Sequence, residues 1–166
     1  DRQHPAQKKL IFDELLAHHL SIMKIRVRTN LRKSYSLKSD GTLVKPFMHN
    51  LQFKLTNAQA KVLTEIKKDM SASHPMMRLV QGDVGSGKTV IALAACLYAV
   101  ENQYQAAIMA PTELLAEQHF RYFTNQLLPL GIQVAWLASG LPAKKKREML
   151  ELIATCTACV VVGRNA

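Results

Sequence analysis

The 166-residue sequence predicts an α/β fold, a parallel β-sheet with flanking helices, preceded by an N-terminal helix and a linker. From about Leu51 onward, short apolar segments alternate with segments long enough to form helices, and this alternation is typical of right-handed βαβ units. Near the middle of the chain, a glycine-rich turn separates a short apolar segment from a long one. Such a turn is expected where a strand leads into a helix.

The first 50 residues are predicted to form a region of their own. From Leu10 to about Val27, apolar residues recur at close to helical spacing, which predicts an amphipathic helix. Residues 29–46 lose this period and are rich in Lys, Ser, Asn, Gly and Pro, which predicts a basic linker. We therefore divide the chain into a helical connector (1–28), a basic linker (29–50) and an α/β lobe (51–166).

The α/β lobe is predicted to contain four helices and four strands. Thr56 is expected to cap the first helix, with Asn57 as the alternative cap. Pro111 and Thr112 suit the start of the third helix. The predicted helices are 57–70, 88–101, 111–128 and 143–154, and the predicted strands are 77–81, 106–110, 132–137 and 159–162.

The glycine-rich turn is the most specific motif of the chain. Its residues are Gly82-Asp83-Val84-Gly85-Ser86-Gly87-Lys88-Thr89, and they satisfy the pattern G-x-x-x-x-G-K-[ST] of loops that wrap nucleotide phosphates. Glycines let the backbone approach an anion, while the loop amides and the start of the next helix attract it. The lysine is expected to reach the β- and γ-phosphates and the threonine to ligate Mg²⁺. The alternative is a glycine turn between two core elements.

The charge of the chain is positive and unevenly distributed. The net charge is +10, and residues 1–50 carry ten Lys and Arg against four acidic residues. A basic excess fits a polyanionic partner, nucleic acid first. A simply solvated surface is an equal alternative on composition alone.

Composition also bears on the compartment. Three cysteines do not make a disulfide framework, so we expect a reducing cytoplasm. No apolar run approaches the about 20 residues that span a bilayer, and we expect no membrane partner. The polar first residues, without an initiator Met, suggest a piece of a longer chain.

Four stretches resemble the first motor lobe of superfamily 2 helicases, specifically the bacterial RecG branch-migration helicases. Residues 51–59, LQFKLTNAQ, are similar to the region in which an aromatic residue and a Gln contact adenine. Residues 78–89 are similar to motif I, and residues 110–119, APTELLAEQH, to motif Ia. Residues 131–137 and 160–163 match the next strands. The similarity runs from about residue 8 to the end and implies that residues 51–166 are part of a RecA-like, ATP-binding helicase lobe.

The resemblance implies roles for individual residues. Gln59 and Phe53 would contact the adenine of ATP, and a Gln amide has the donor and acceptor that adenine requires. A solvent-facing Gln59 and a core Phe53 are the alternatives. Pro111, Thr112 and Glu113 would contact DNA, Thr112 through its hydroxyl, although a helix cap at Thr112 needs no DNA. Lys88 would be the catalytic lysine of the loop.

The resemblance further implies an ATP-dependent DNA helicase that remodels stalled forks and Holliday junctions, with ATP and Mg²⁺ as cofactors and a monomeric state. One departure concerns Gly163-Arg164-Asn165-Ala166, where the family has Gly-Thr-His-Ala. No Asp follows Asp83, and every later Glu lies in a predicted helix or its cap. Hydrolysis requires an Asp-Glu pair after a strand and an arginine from a second lobe. We therefore expect this segment to bind nucleotide weakly and to be nearly inactive alone.

Two other functions remain open at this point. Another P-loop NTPase, such as a different superfamily 2 translocase or a small-molecule kinase, would also carry the glycine motif. A kinase would want an acceptor site and lid arginines after the loop, and residues 110–119 argue against it. A nucleotide-dependent binding module without catalysis is the third possibility.

Overall fold

The computed structural model describes residues 4–164 of the chain. Asn165 and Ala166, the last two residues of the segment that departs from the family sequence, lie outside this range. The helices are α1 (Pro5–Asn30), α2 (Val44–Asn50), α3 (Asn57–Met70), α4 (Lys88–Glu101), α5 (Glu113–Leu127) and α6 (Ala143–Ala154), with a 3₁₀ turn at Leu128–Leu130. The strands are β1 (Ala106–Ala110), β2 (Gln133–Leu137) and β3 (Ala158–Arg164).

The three strands form one parallel sheet in the order β1-β3-β2. The central strand β3 pairs on both sides, and its Val162 lies opposite Ile108 of β1 and Trp136 of β2. Helices connect the strands, so the prediction of an α/β lobe with a parallel sheet is confirmed.

The predicted strand at residues 77–81 is wrong. This segment has no regular structure in the described part of the chain, and Met77 and Leu79 are 73% and 86% exposed. A strand forms only where a neighbour accepts its backbone hydrogen bonds, and among residues 4–164 both β1 and β2 pair with β3 alone. The segment keeps its place through Val80, which packs against the core.

Helix α4 is the most buried element. Eight of its fourteen residues are buried, and Leu93, Ala94 and Leu97 have no exposed surface. They join Phe123 and Leu127 of α5 and Val160 and Val162 of β3 in one cluster. Burial raises the pKa of the Cys96 thiol in α4 to about 12, which keeps it protonated and unreactive.

The basic linker is more ordered than its composition predicts. Residues 44–50 form helix α2, whose Phe47 is fully buried in the core. A carboxylate at the end of α4 fixes the segment before it. Glu101 accepts hydrogen bonds from the Ser39 hydroxyl and from the amides of Leu43 at 2.7 Å and Val44 at 3.1 Å.

Helix α1 is longer than predicted at both ends, and the prediction of a one-sided apolar face is wrong. At 3.6 residues per turn, Ile11 and Leu20 project in roughly opposite directions, and both are exposed. The charged Lys8 and Arg26 lie between them on the helix circumference. The apolar Leu10 and Ile25 project from the other half, so apolar and charged residues are not separated into two faces. Between residues 4 and 164, no helix combines the length and apolarity that a membrane crossing requires.

Replacing Glu101 with Gln should destabilise the chain in a pH-dependent way. Partial burial alone would raise the pKa of this carboxyl, but the hydrogen bonds from Ser39, Leu43 and Val44 outweigh burial and lower the pKa below its ordinary 4.5. A lowered pKa adds stability above the unfolded-state pKa, and this stability is lost as the pH falls through the folded-state value.

We expect Glu101→Gln to reduce the free energy of unfolding by about 1–2 kcal/mol at pH 7 and by progressively less in acid. Urea unfolding of both proteins from pH 7 to pH 3 measures this difference. A difference that stayed constant over this range would contradict a charge-dependent clamp.

Candidate functional site

The glycine loop, residues Gly82–Thr89, forms a turn in which two glycines adopt left-handed backbone conformations. Gly85 and Gly87 have φ values of +80° and +82°, in the left-handed region that glycine adopts without strain. Gly87 is also the N-cap of α4, so the loop runs directly into the buried helix.

The loop presents free backbone donors at the start of α4. The Gly87 cap has no side-chain hydrogen bond. Within residues 4–164, the amides of Gly85, Gly87, Lys88 and Thr89 donate to no backbone carbonyl or side chain. Unused amides at a helix N-terminus, where the helix dipole is positive, bind anions.

Lys88 is folded back into the loop. Its Nζ donates to the carbonyl oxygens of Gly82 at 2.7 Å and Asp83 at 2.6 Å, and lies 3.4 Å from the Ser86 hydroxyl. The ammonium group therefore lies inside the loop, where it can exchange its carbonyl acceptors for the oxygens of an anion. Thr89, the predicted metal ligand, is half-buried in the first turn of α4.

Gln59 connects α3 to the glycine loop. Thr56 caps α3 as predicted, and Gln59 completes a capping box with it. The Gln59 Oε1 accepts from the Thr56 amide at 2.8 Å, while Nε2 donates to the Ser86 carbonyl at 2.9 Å. The solvent-facing alternative for Gln59 is therefore wrong.

Phe53 lies outside the core. It is 50% exposed and precedes α3 on an irregular segment, so the core alternative for this residue is wrong. Its exposed ring is free to contact a planar ligand.

Two clefts flank the glycine loop. A cleft of about 350 Å³ lies towards α3 and is lined by Gln59, Val62 and Ile91. A second, of about 380 Å³, separates the loop from Gln118, His119 and Tyr122 of α5. Sequence reasoning assigned no role to this α5 face, although Gln118 and Tyr122 are four residues apart and thus share a helix side.

The predicted DNA-contacting residues lie at the carboxyl end of β1. Thr112 caps α5, and its Oγ1 accepts from the Leu115 amide at 3.3 Å. Pro111, Thr112 and Glu113 are all exposed. The capping role of Thr112 is confirmed, and its hydroxyl remains accessible to a ligand.

Metal ligands are sparse in the part of the chain that the structure describes. Residues 4–164 contain no group of three or more His, Cys, Asp and Glu side chains that could hold a metal ion. A metal at the glycine loop would thus depend on the Thr89 hydroxyl and on oxygens from a bound phosphate chain.

A glycine loop with free amides, followed by a buried helix on a parallel sheet, defines a P-loop nucleotide-binding lobe. Residues 56–165 match the DEAD/DEAH box helicase family, and the chain belongs to this family. Membership excludes the small-molecule kinase alternative.

Within the family, the chain is similar to RecG. It is 47% identical to the ATP-dependent DNA helicase RecG of Haemophilus influenzae and 48% identical to that of Escherichia coli K12, over 99% of its own length. It spans 24% of each of these proteins.

Comparison with solved structures also shows similarity to helicases. A RecG bound to a three-way DNA junction superposes on 95% of the chain with a TM-score of 0.86 and 38% identity, and the chain covers 22% of it. A hypothetical ATP-dependent RNA helicase from Sulfolobus tokodaii, at 20% identity and a TM-score of 0.54, shares the fold.

Replacing Gly87 with Ala should disturb more than the loop backbone. A Cβ at residue 87 would overlap the Gln59 amide, whereas a Cβ at Gly85 would meet open space. Both alanines also carry the strain of a positive φ, about 1 kcal/mol. We expect Gly87→Ala to lower the free energy of unfolding by about 1 kcal/mol more than Gly85→Ala, because the α3 capping box is displaced.

Urea unfolding of the two variants measures this difference. In a Gln59→Ala background the overlap is removed, so the two glycine substitutions should cost the same. Equal costs in the unaltered background would show that Gln59 does not constrain Gly87.

Proposed function

We propose that the chain is the ATP-binding segment of an ATP-dependent DNA helicase that remodels branched DNA, such as stalled forks and Holliday junctions, in recombination and repair. The observation that carries this proposal is the glycine loop with its free amides and internal Lys88, in a chain 47% identical to a RecG helicase. We further propose a monomer acting in the cytoplasm.

The loop would hold the triphosphate of ATP. Lys88 would exchange the Gly82 and Asp83 carbonyls for β- and γ-phosphate oxygens, while the free amides of Gly85, Gly87, Lys88 and Thr89 would surround the phosphates. The Thr89 hydroxyl fits a Mg²⁺ ligand, since it lies in the first turn of α4. When bound, the metal would neutralise negative charge on the phosphates.

Base recognition would involve the α3 side of the loop. Gln59 borders the cleft of about 350 Å³, and to read adenine its Nε2 would leave the Ser86 carbonyl. Phe53 would stack on the base through its exposed ring. In this proposal, arrival of ATP changes the contact that joins α3 to the loop.

The 166-residue chain alone would bind ATP weakly and hydrolyse almost none. The five glutamates after Asp83 lie within helices, as predicted from the sequence. Hydrolysis requires a carboxylate at a strand end to activate water and an arginine to stabilise the transition state. Full activity would therefore belong to a longer protein with a second lobe.

The turn at residues 111–113 would contact the DNA backbone. The Thr112 hydroxyl accepts from Leu115, so its proton remains available for a phosphate oxygen. The N-terminus of α5 adds a favourable dipole. Because the other side of α5 borders the glycine loop through Gln118 and His119, one rigid helix would link the DNA contact to the nucleotide.

Lys88→Ala should abolish the ATPase activity of the longest natural protein that contains this chain. Removing a cation that stabilises the transferring phosphate should lower kcat at least about 100-fold. The measurement is phosphate release with branched DNA present, and Lys61→Ala, an exposed lysine of α3, is the matched control. Undiminished hydrolysis by the Lys88 variant would overturn the motor assignment.

Substitutions of Thr112 can distinguish its role as a helix cap from the proposed contact with DNA. Thr112→Asp keeps a side-chain acceptor for the Leu115 amide but repels phosphate, so DNA affinity should fall about tenfold at low salt. Thr112→Ser should retain both the cap and the affinity. Fluorescence anisotropy with a labelled fork measures binding, and thermal unfolding verifies the cap. Equal DNA affinity of the Asp and Ser variants would exclude a phosphate contact here.

A further inference from the structure

A second basic surface lies where the linker meets the end of α3. It is a groove of about 340 Å³ lined by the apolar Leu37 and by six polar or charged residues, Lys38, Ser39, Thr64, Lys67, Lys68 and Ser71, and is called here the lysine groove. Lys67 and Lys68 occupy the last turn of α3, and Lys38 faces them from the linker. None of these residues borders the clefts beside the glycine loop.

Backbone hydrogen bonds hold the linker side of the groove in place. The Leu37 amide donates to the Met70 carbonyl at 2.9 Å, and the Ser36 hydroxyl donates to the Ser71 carbonyl at 2.6 Å. The Lys38 amide donates to Asn102 Oδ1 at 3.0 Å. The backbone at Lys38 is therefore fixed opposite α3 before any ligand arrives, so no backbone ordering is required on binding.

The groove is positive because its three lysines outnumber the one nearby carboxylate that is not engaged elsewhere, that of exposed Asp40. Glu65 and Asp69 of α3 both pair with Arg78 at 2.6 Å. Glu101 is held by the linker. Within residues 4–164, the three groove lysines form no ion pair. Three unneutralised ammonium groups around one cleft create a local positive potential that attracts anions.

The hydroxyl groups of the groove indicate which kind of anion fits. Thr64 donates to the Ala60 carbonyl, Ser71 to the Lys68 carbonyl and Ser39 to Glu101. The groove thus offers point charges rather than a cage of hydrogen-bond donors. Such a surface suits an extended polyanion better than a single small phosphate, and exposed Arg32 and Lys33 extend the positive charge along the linker.

We propose that the lysine groove binds the phosphodiester backbone of DNA, as a contact separate from the turn at Thr112. This inference rests on the proposed function as a DNA motor. DNA bound here would contact the linker and the C-terminal end of α3, away from the nucleotide. The contact would read no sequence and would contribute affinity that depends on salt.

The test uses the longest natural protein that contains this chain, with Lys67→Gln/Lys68→Gln as the variant. Lys144→Gln/Lys145→Gln, on exposed α6, removes the same charge elsewhere. Binding to a labelled fork is measured by anisotropy at several KCl concentrations. We expect affinity to fall about tenfold at low salt, and the slope of log K against log salt to lose about 2 units in magnitude. The α6 variant should lose clearly less.

A substitution in the linker distinguishes a loss of DNA contact from destabilisation of α3. Lys67 and Lys68 also offset the negative end of the α3 dipole, so thermal unfolding is measured alongside binding. Lys38→Gln lies outside α3 and should reduce the slope by about 1 unit.

Folded groove variants with unchanged affinity and slope would overturn the inference, as would equal losses in the groove and α6 variants. An unaltered protein that failed to bind forks would instead overturn the proposed function, and the groove with it.

Discussion

The burial of α4 is the constraint on which the rest of the structure depends. Leu93 and Leu97 have no exposed surface, and the helix packs against α3 and the sheet. Its first residue, Lys88, belongs to the glycine loop, and its last, Glu101, holds the linker. Since close-packed interiors do not deform gradually, a displacement at one end of this helix must be accommodated at the other. The glycine loop and the linker are thus attached to opposite ends of the same buried helix.

Helix α3 repeats this arrangement beside α4. Its N-terminus reaches the loop through Gln59, and its C-terminal turn holds the linker through Met70 and Ser71. The two helices therefore direct their positive dipole ends to the glycine loop and their negative ends to the linker. Backbone amides alone can attract an anion at the loop. At the linker end the dipole opposes an anion, so positive potential there has to come from side chains such as Lys67 and Lys68.

Local patterns sufficed where the determinants of structure are local. Helices 57–70, 88–101 and 143–154 and strand 106–110 were predicted with the bounds that the structure shows, because caps and apolar spacing act within a few residues. The prediction of a strand at 77–81 was wrong because a strand needs a partner to accept its backbone hydrogen bonds, and none lies beside this segment within residues 4–164. Helix α2 was missed because seven residues around Pro46 carry no period, and burial of Phe47 stabilises them. The bond from Gln59 to Ser86 spans 27 residues and has no local signal.

In the proposed function, the distribution of carboxylates would make the glycine loop only one half of an active site. The described strands end at Ala110, Leu137 and Arg164, so none of them ends in an acidic residue, and Glu113, which follows β1, belongs to the first turn of α5. Several acids are already engaged: Glu65 and Asp69 with Arg78, Glu101 with the linker, and Glu117 with Arg121. Moving any of these to the loop would break the contacts that position α3, α4 or α5. In the proposed function, this segment would therefore supply phosphate binding, whereas a carboxylate outside residues 4–164 would activate water.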